Sequence, residues 1–322
     1  MVSPDLDPTA GLEPTPGLDP TVSERTISTN GVDLHVLEAG RDNDGPLVVL
    51  AHGFPELGYA WRHQLPALAA AGLRAVAPDL RGYGRSGGRA GPFDLRTLAD
   101  DVAGLVGALG RPRAAVVGHD WGGAVAWGAA MYRPEVVAQL AVLDCPHPAA
   151  LARELRRNPR QLRRSLYMLF FQLPWLPERL LSRRGGQAVG RALRGGCHVR
   201  TAFSWEGTLP YRRAFSDPAA AAAALGYYRA AFRGAFSRGQ SRAPRRPITA
   251  PTLILWGRED RFLGLETIAP ERLAPDFAEG NHPEVRVLDD AGHFLQNERP
   301  AEVSAALVRF LAGSIAAGSA VR

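Results

Sequence analysis

Lysine is absent from this 322-residue chain, so all 38 of its basic side chains are arginine. Cysteine is scarce: Cys145 and Cys197 cannot build a disulfide framework, which suits a reducing compartment and leads us to expect a cytoplasmic protein. No stretch approaches the ~20 apolar residues of a membrane span. The N-terminus lacks the basic start and apolar run of a secretory signal. No Cys/His cluster has ligand spacing, so no metal is expected. What the chain does hold is apolar material, 46% of its residues, enough for one large domain or a domain with an insertion.

The net charge of +6 conceals two opposed parts. Residues 151–250 carry 20 arginines against Glu154, Glu178, Glu206 and Asp217, whereas the rest carries 18 against 28 acids. Such a region can attract nucleic acid, a membrane surface or an acidic ligand. Its aromatics sit in apolar runs instead of alternating with arginine, and the Ala/Gly/Arg-rich composition reads as bias, so nucleic acid is not expected as a partner. Residues 1–23 repeat Leu-acid-Pro-Thr at Leu6–Thr9, Leu12–Thr15 and Leu18–Thr21, with little to bury. They read as a disordered acidic tail.

Beyond the tail the pattern alternates. Two short segments around Asn30-Gly31 predict a hairpin over Arg25–Glu38. Continuous apolar runs at Pro46–Ala51, Arg74–Ala77, Arg113–Gly118, Gln139–Leu143, Pro251–Trp256 and Val285–Leu288 predict buried parallel strands. Helices are expected through Trp61, Leu65 and Leu68, then over Leu95–Leu109, Gly122–Tyr132 and Pro300–Leu311. From Cys145-Pro146-His147-Pro148 about a hundred Arg-rich residues interrupt the alternation without a clear strand. The expectation is an α/β core over 24–145 and 248–322 with a mostly parallel sheet, and a helical cap inserted at 146–247 that excludes water from a pocket at the sheet edge.

One turn carries the chemistry. Gly118-His119-Asp120-Trp121-Gly122-Gly123 lies between a strand and a helix, the backbone on which a G-x-S-x-G elbow presents its serine. Here the central residue is Asp120. An aspartate with a pKa of about 3.9 is ionised at neutral pH and needs no base before attacking. It suits displacement at a saturated carbon, giving an alkyl ester that water must then cleave. A base and an orienting acid should follow in chain order. His293 comes after the last strand and before the final helix, and fits the base. Asp260 follows the Pro251–Trp256 strand and fits the acid, with Glu259 beside it and Asp144 after the strand of 139–143 as competitors. Backbone N–H groups of Phe54 and Trp121 would form the oxyanion hole.

These residues resemble the epoxide hydrolases of the α/β-hydrolase fold over nearly all of 25–315. The likeness rests on His52-Gly53-Phe54-Pro55-Glu56 with Tyr59, Trp61, Arg62 and Gln64, on the stretch from Ala77 to Gly84, and on the Gly118–Gly123 turn. It implies that Asp120 is the nucleophile, that Asp260 and His293 activate water, and that two cap tyrosines protonate the epoxide oxygen. The segments Tyr167–Pro174 and Gly226–Arg229 match those carrying the tyrosines, which gives Tyr167 and Tyr228, with Tyr227 as the alternative to the second. A small-molecule epoxide and water are then the partners, with no cofactor; a homodimer is left open. Trp175 departs from the small residue usual there, and Asp144 from an Asn. The runner-up is a haloalkane dehalogenase, whose leaving halide needs no proton, followed by a non-catalytic ligand-binding relative, against which the intact nucleophile, acid and base count together.

Overall fold

The computed structural model describes residues 15–236 and 246–318. Eight strands form one sheet: β1 (Ser23–Thr29), β2 (Val32–Ala39), β3 (Leu47–Ala51), β4 (Arg74–Pro78), β5 (Ala114–His119), β6 (Val137–Leu143), β7 (Thr252–Gly257) and β8 (Glu284–Leu288), in the order β1-β2-β4-β3-β5-β6-β7-β8. The hairpin β1–β2 is antiparallel, turned by Asn30 (φ 44°) and Gly31 (φ 69°) as an Asn-Gly turn requires. From β4 onward every pairing is parallel.

Strand β3 shows how the sequence sets the layers. All five of its residues are buried, and successive side chains alternate between faces. Val48 and Leu50 enter the larger core cluster, whereas Leu47 and Val49 join Ile27, Val36 and Leu105 on the other face. Helices cover both faces: α1 (Gln64–Ala70), α2 (Leu95–Ala108), capped by Asp94, and α3 (Trp121–Tyr132). The expected helix through Trp61 is split, because Gly58–Trp61 forms a separate 3₁₀ turn before α1.

Between β6 and β7 the described chain is helical: α4 (Pro148–Arg157), α5 (Pro159–Arg164), α6 (Tyr167–Phe170), α7 (Leu176–Gly196, interrupted at Arg183–Gly186), α8 (Leu209–Ala214) and α9 (Pro218–Phe236). After β7 come α10 (Pro270–Leu273), α11 (Leu295–Glu298) and α12 (Pro300–Gly318). Among the described residues no helix is long and apolar enough to cross a membrane.

The tail reading needs correction at its inner end. Residues 1–14 lie outside the described residues, but 15–22 are seated on the protein. The Thr15 N–H donates to Glu24 at 2.6 Å, and Leu18 and Val22 pack on the core. Two apolar side chains and one charge-assisted bond suffice to dock a segment that composition alone assigns to solvent.

Candidate active site

The strand ends gather the chemistry. Asp120 follows β5, the His52–Glu56 loop follows β3, Asp144 follows β6, Asp260 lies just past β7 and His293 just past β8. All lie at the carboxyl edge of the parallel strands, where open α/β sheets bind ligands.

Asp120 adopts φ 49° and ψ −119°, a strained conformation for a residue with a Cβ. Glycines on either side make it attainable. A Cβ on Gly118 would stand 2.1 Å from the Gly122 carbonyl oxygen, and one on Gly122 would stand 2.1 Å from that of Ala51. Helix α3 can therefore start tight against β3, with Asp120 at its apex. One carboxylate oxygen, Oδ1, accepts from the Phe54 N–H at 2.9 Å; the other, Oδ2, stands 3.5 Å from His293 Nε2. Trp121 opens α3, so its N–H has no partner within the helix and is free to serve beside that of Phe54.

His293 Nδ1 meets Asp260 Oδ2 at 2.9 Å, while Asp260 Oδ1 accepts from the N–H groups of Phe262 (2.7 Å) and Leu263 (3.0 Å). The two acid competitors separate clearly. Glu259 is exposed. Asp144 is fully buried, but its Oδ1 accepts from Gly257 N–H at 2.8 Å and its Oδ2 has no hydrogen-bond partner.

Electrostatics follow from this geometry. Burial acts to raise the Asp120 pKa, yet the hydrogen bond and charge of His293, with the Phe54 N–H, hold it below the usual 3.8. For His293, burial opposes protonation, but the charge of Asp260 and the contact with Asp120 outweigh it and keep the imidazolium favoured well above 6.5. Asp144 moves the other way: burial and then the neighbouring Asp260 charge raise it well above 3.8.

Tyr228 lies among the rings that flank the nucleophile, 4.9 Å between centroids from Trp121 and 5.3 Å from Phe54. Tyr167 comes from α6 and stands 6.2 Å from Tyr228, ring to ring. Burial raises both phenols above their ordinary 10, and the Asp120 charge adds to it, so both stay protonated at neutral pH. Tyr227 points elsewhere: its hydroxyl donates to the Arg81 carbonyl at 2.8 Å and its ring stacks on Phe93. Trp175 is 67% exposed and turned to solvent, so it does not shape the pocket.

Sequence reasoning missed a buried support. Glu56 Oε2 pairs with His119 Nδ1 at 2.7 Å, and His119 Nε2 meets the His293 carbonyl at 2.7 Å. The same Glu56 accepts from Gly53 N–H and Gln296, so it ties the oxyanion loop to the base-bearing loop. The signal available was a charged residue ending an otherwise apolar loop motif. Atoms of His119, Asp144 and His293 lie within 4.8 Å of one another, but both ring nitrogens of each histidine already have partners. Asp144 is bonded to neither histidine: its Oδ1 accepts from Gly257 N–H and its Oδ2 is bare. A cavity of about 520 Å³ beside β2, lined by His35, Tyr59, Asp79 and Arg213 among others, contains none of the residues around Asp120.

Comparison with known proteins decides the family. The family described as alpha/beta hydrolase fold matches residues 46–300. Epoxide hydrolase A of Mycobacterium tuberculosis is 36% identical over 326 aligned residues, covering 90% of this chain and 98% of that protein. The chain belongs to the epoxide hydrolases of the α/β-hydrolase fold. A Bacillus subtilis relative described only as AB hydrolase superfamily protein YfhM is 38% identical, covering 88% of this chain and 96% of its own. The crystal structure of epoxide hydrolase A from Mycobacterium thermoresistibile superposes with a TM-score of 0.75 at 35% identity, covering 91% and 99% of the two chains. The eight-stranded, mostly parallel sheet is thus the α/β-hydrolase architecture expected from the sequence.

Proposed function

We propose that this protein converts an epoxide and water to a vicinal diol through an alkyl ester on Asp120. The observation that carries the reading is the pairing of an ionised elbow carboxylate, backed by His293 and Asp260, with two protonated phenols facing it from the inserted helices.

In the first step an Asp120 oxygen attacks one epoxide carbon and that carbon's bond to oxygen breaks. Tyr167 or Tyr228 gives its proton to the departing oxygen, so no free alkoxide forms. Ester formation then changes the base. With Asp120 neutral, His293 loses one of the charges that kept it protonated, its pKa falls and it gives its proton to solvent, so that the neutral imidazole can take a proton from water. The hydroxide attacks the Asp120 carboxyl carbon, the oxyanion is held by the N–H groups of Phe54 and Trp121, and on collapse the departing alkoxide takes the proton from His293 and leaves as the diol. Solvent returns a proton to the tyrosine. Helices α4–α9 act in this reading as the cap. Buried free thiols at Cys145 and Cys197 favour a reducing, cytoplasmic setting.

The test is a single turnover in ¹⁸O-water. Label should appear in the peptide containing Asp120, because water attacks the ester carbonyl. Label found only in the diol would mean that water opens the epoxide directly. Alkyl halides assayed in parallel should release no halide, which separates this reading from a dehalogenase.

A further inference from the structure

Among the described residues, exposed large apolar side chains concentrate on one segment. Leu162, Leu166, Leu169 and Leu173 are 47%, 50%, 53% and 45% exposed, Trp175 is 67% and Leu180 42%. Leu162 lies on α5 and Leu169 on α6, with Leu166 in the turn between them and Leu173 in the bend after α6, and their steps of four, three and four residues match those of one helix face. A solvent-facing row of leucines ending in tryptophan is costly in water unless something covers it.

The charge around it says what. Arg160, Arg163, Arg179, Arg183 and Arg184 are exposed on the same stretch. The nearby acids are turned inward: Glu154 pairs with Arg272, and Glu178 with Arg229. The part-exposed Glu266 is already paired with Arg164 and Asn158, so apolar side chains with tryptophan, flanked by an excess of arginine, match the requirements of a segment lying in the interface of an anionic bilayer. A second copy of this chain fits poorly, because two such faces would bring arginine against arginine. The opposite side of the segment roofs the site, since Tyr167 and Phe171 contact Tyr228.

We infer that the α5–α6 face, from Leu162 to Leu180, seats on anionic phospholipid membranes, so that the roof of the active site rests on the phase in which apolar substrates dissolve. The proposal stands apart from the chemistry at Asp120, and its test needs no turnover.

The test is co-sedimentation of the full chain with phosphatidylcholine vesicles, with and without about one third phosphatidylglycerol, at low and high salt. Binding should require the anionic lipid and weaken with salt. Leu169→Ser/Leu173→Ser/Trp175→Ser should reduce it more than tenfold, and Arg163→Ser/Arg179→Ser should reduce it about thirtyfold, from about 1 kcal/mol per arginine near the surface. The two variants touch different side chains, so failure of one to fold leaves the other informative. No binding to anionic vesicles at low salt would overturn the proposal, as would folded variants that bind like the parent. A parent that sediments as a dimer, made monomeric by the leucine and tryptophan changes, would assign the face to self-association instead.

Discussion

Replacing both Tyr167 and Tyr228 with Phe should separate proton donation from every other feature of the site. Each phenol is buried and shifted upward, so each is a reservoir of one proton at neutral pH. Their rings lie 6.2 Å apart, close enough for both hydroxyls to reach one epoxide oxygen. General-acid assistance is worth about 10²–10⁴ in rate, or roughly 3–5 kcal/mol of barrier at about 1.4 kcal/mol per decade. Either single change leaves one donor and should slow ester formation by part of that range; the double change should remove nearly all of it. Tyr227→Phe is the internal control. Its hydroxyl serves the Arg81 carbonyl, so its loss should cost about 1–3 kcal/mol of stability and leave the rate alone. The assay is rapid-quench single turnover with mass detection of the Asp120 ester, alongside urea unfolding. A folded double variant that opens epoxides at the parent rate would refute the argument, and so would a Tyr227→Phe enzyme slowed as much as Tyr228→Phe.

His293→Gln should leave alkylation intact and trap the ester, seen as protein plus substrate by mass spectrometry; normal turnover would remove His293 as base. Asp260→Asn should accumulate the ester more weakly, whereas Asp144→Asn should turn over nearly as the parent does, because an amide oxygen can still accept from Gly257 N–H; the reverse outcome would reassign the acid. Asp120→Asn should lower the His293 pKa, since it removes one of the anions that raise it, so imidazole NMR should show deprotonation beginning at lower pH than in the parent. For the same reason ester hydrolysis, which needs neutral His293, should rise with pH through this lowered value. Gly122→Ala should cost at least the ~1–3 kcal/mol of an overpacked core, because its Cβ would meet the Ala51 carbonyl oxygen at 2.1 Å; an unchanged urea midpoint would mean that α3 is not pinned against β3.

The parts of this fold that local sequence states openly are those whose environment is uniform. Strands β3, β5, β6 and β7 are covered on both faces, so they read as unbroken apolar runs, and Asn30-Gly31 can make little but a hairpin turn. That Asp120, Asp260 and His293 meet was legible because parallel strands deliver their C-terminal ends to one edge in chain order. What was hidden depends on rotation or on distant partners. Tyr227 and Tyr228 are neighbours on α9, about 100° apart around its axis, so the docking angle of that helix decides which ring packs on Phe54 and which hydroxyl meets Arg81. Glu56 and His119 are 63 residues apart, and neither has a local pattern that names the other.

Asp144 shows the limit most sharply. By sequence it competes with Asp260, since both follow a strand, and chain order alone favours Asp260. The structure distinguishes them by how each carboxylate is solvated. Asp260 receives two backbone N–H groups on one oxygen and the histidine on the other. Asp144 receives a single N–H, leaves its second oxygen bare in a dry interior, and faces the Asp260 charge, so its neutral form is favoured. The orienting role we propose for Asp260 is supported by its turn, through Phe262 and Leu263, which aims backbone N–H groups at its carboxylate, a property carried by loop conformation and invisible in the identity of the residue.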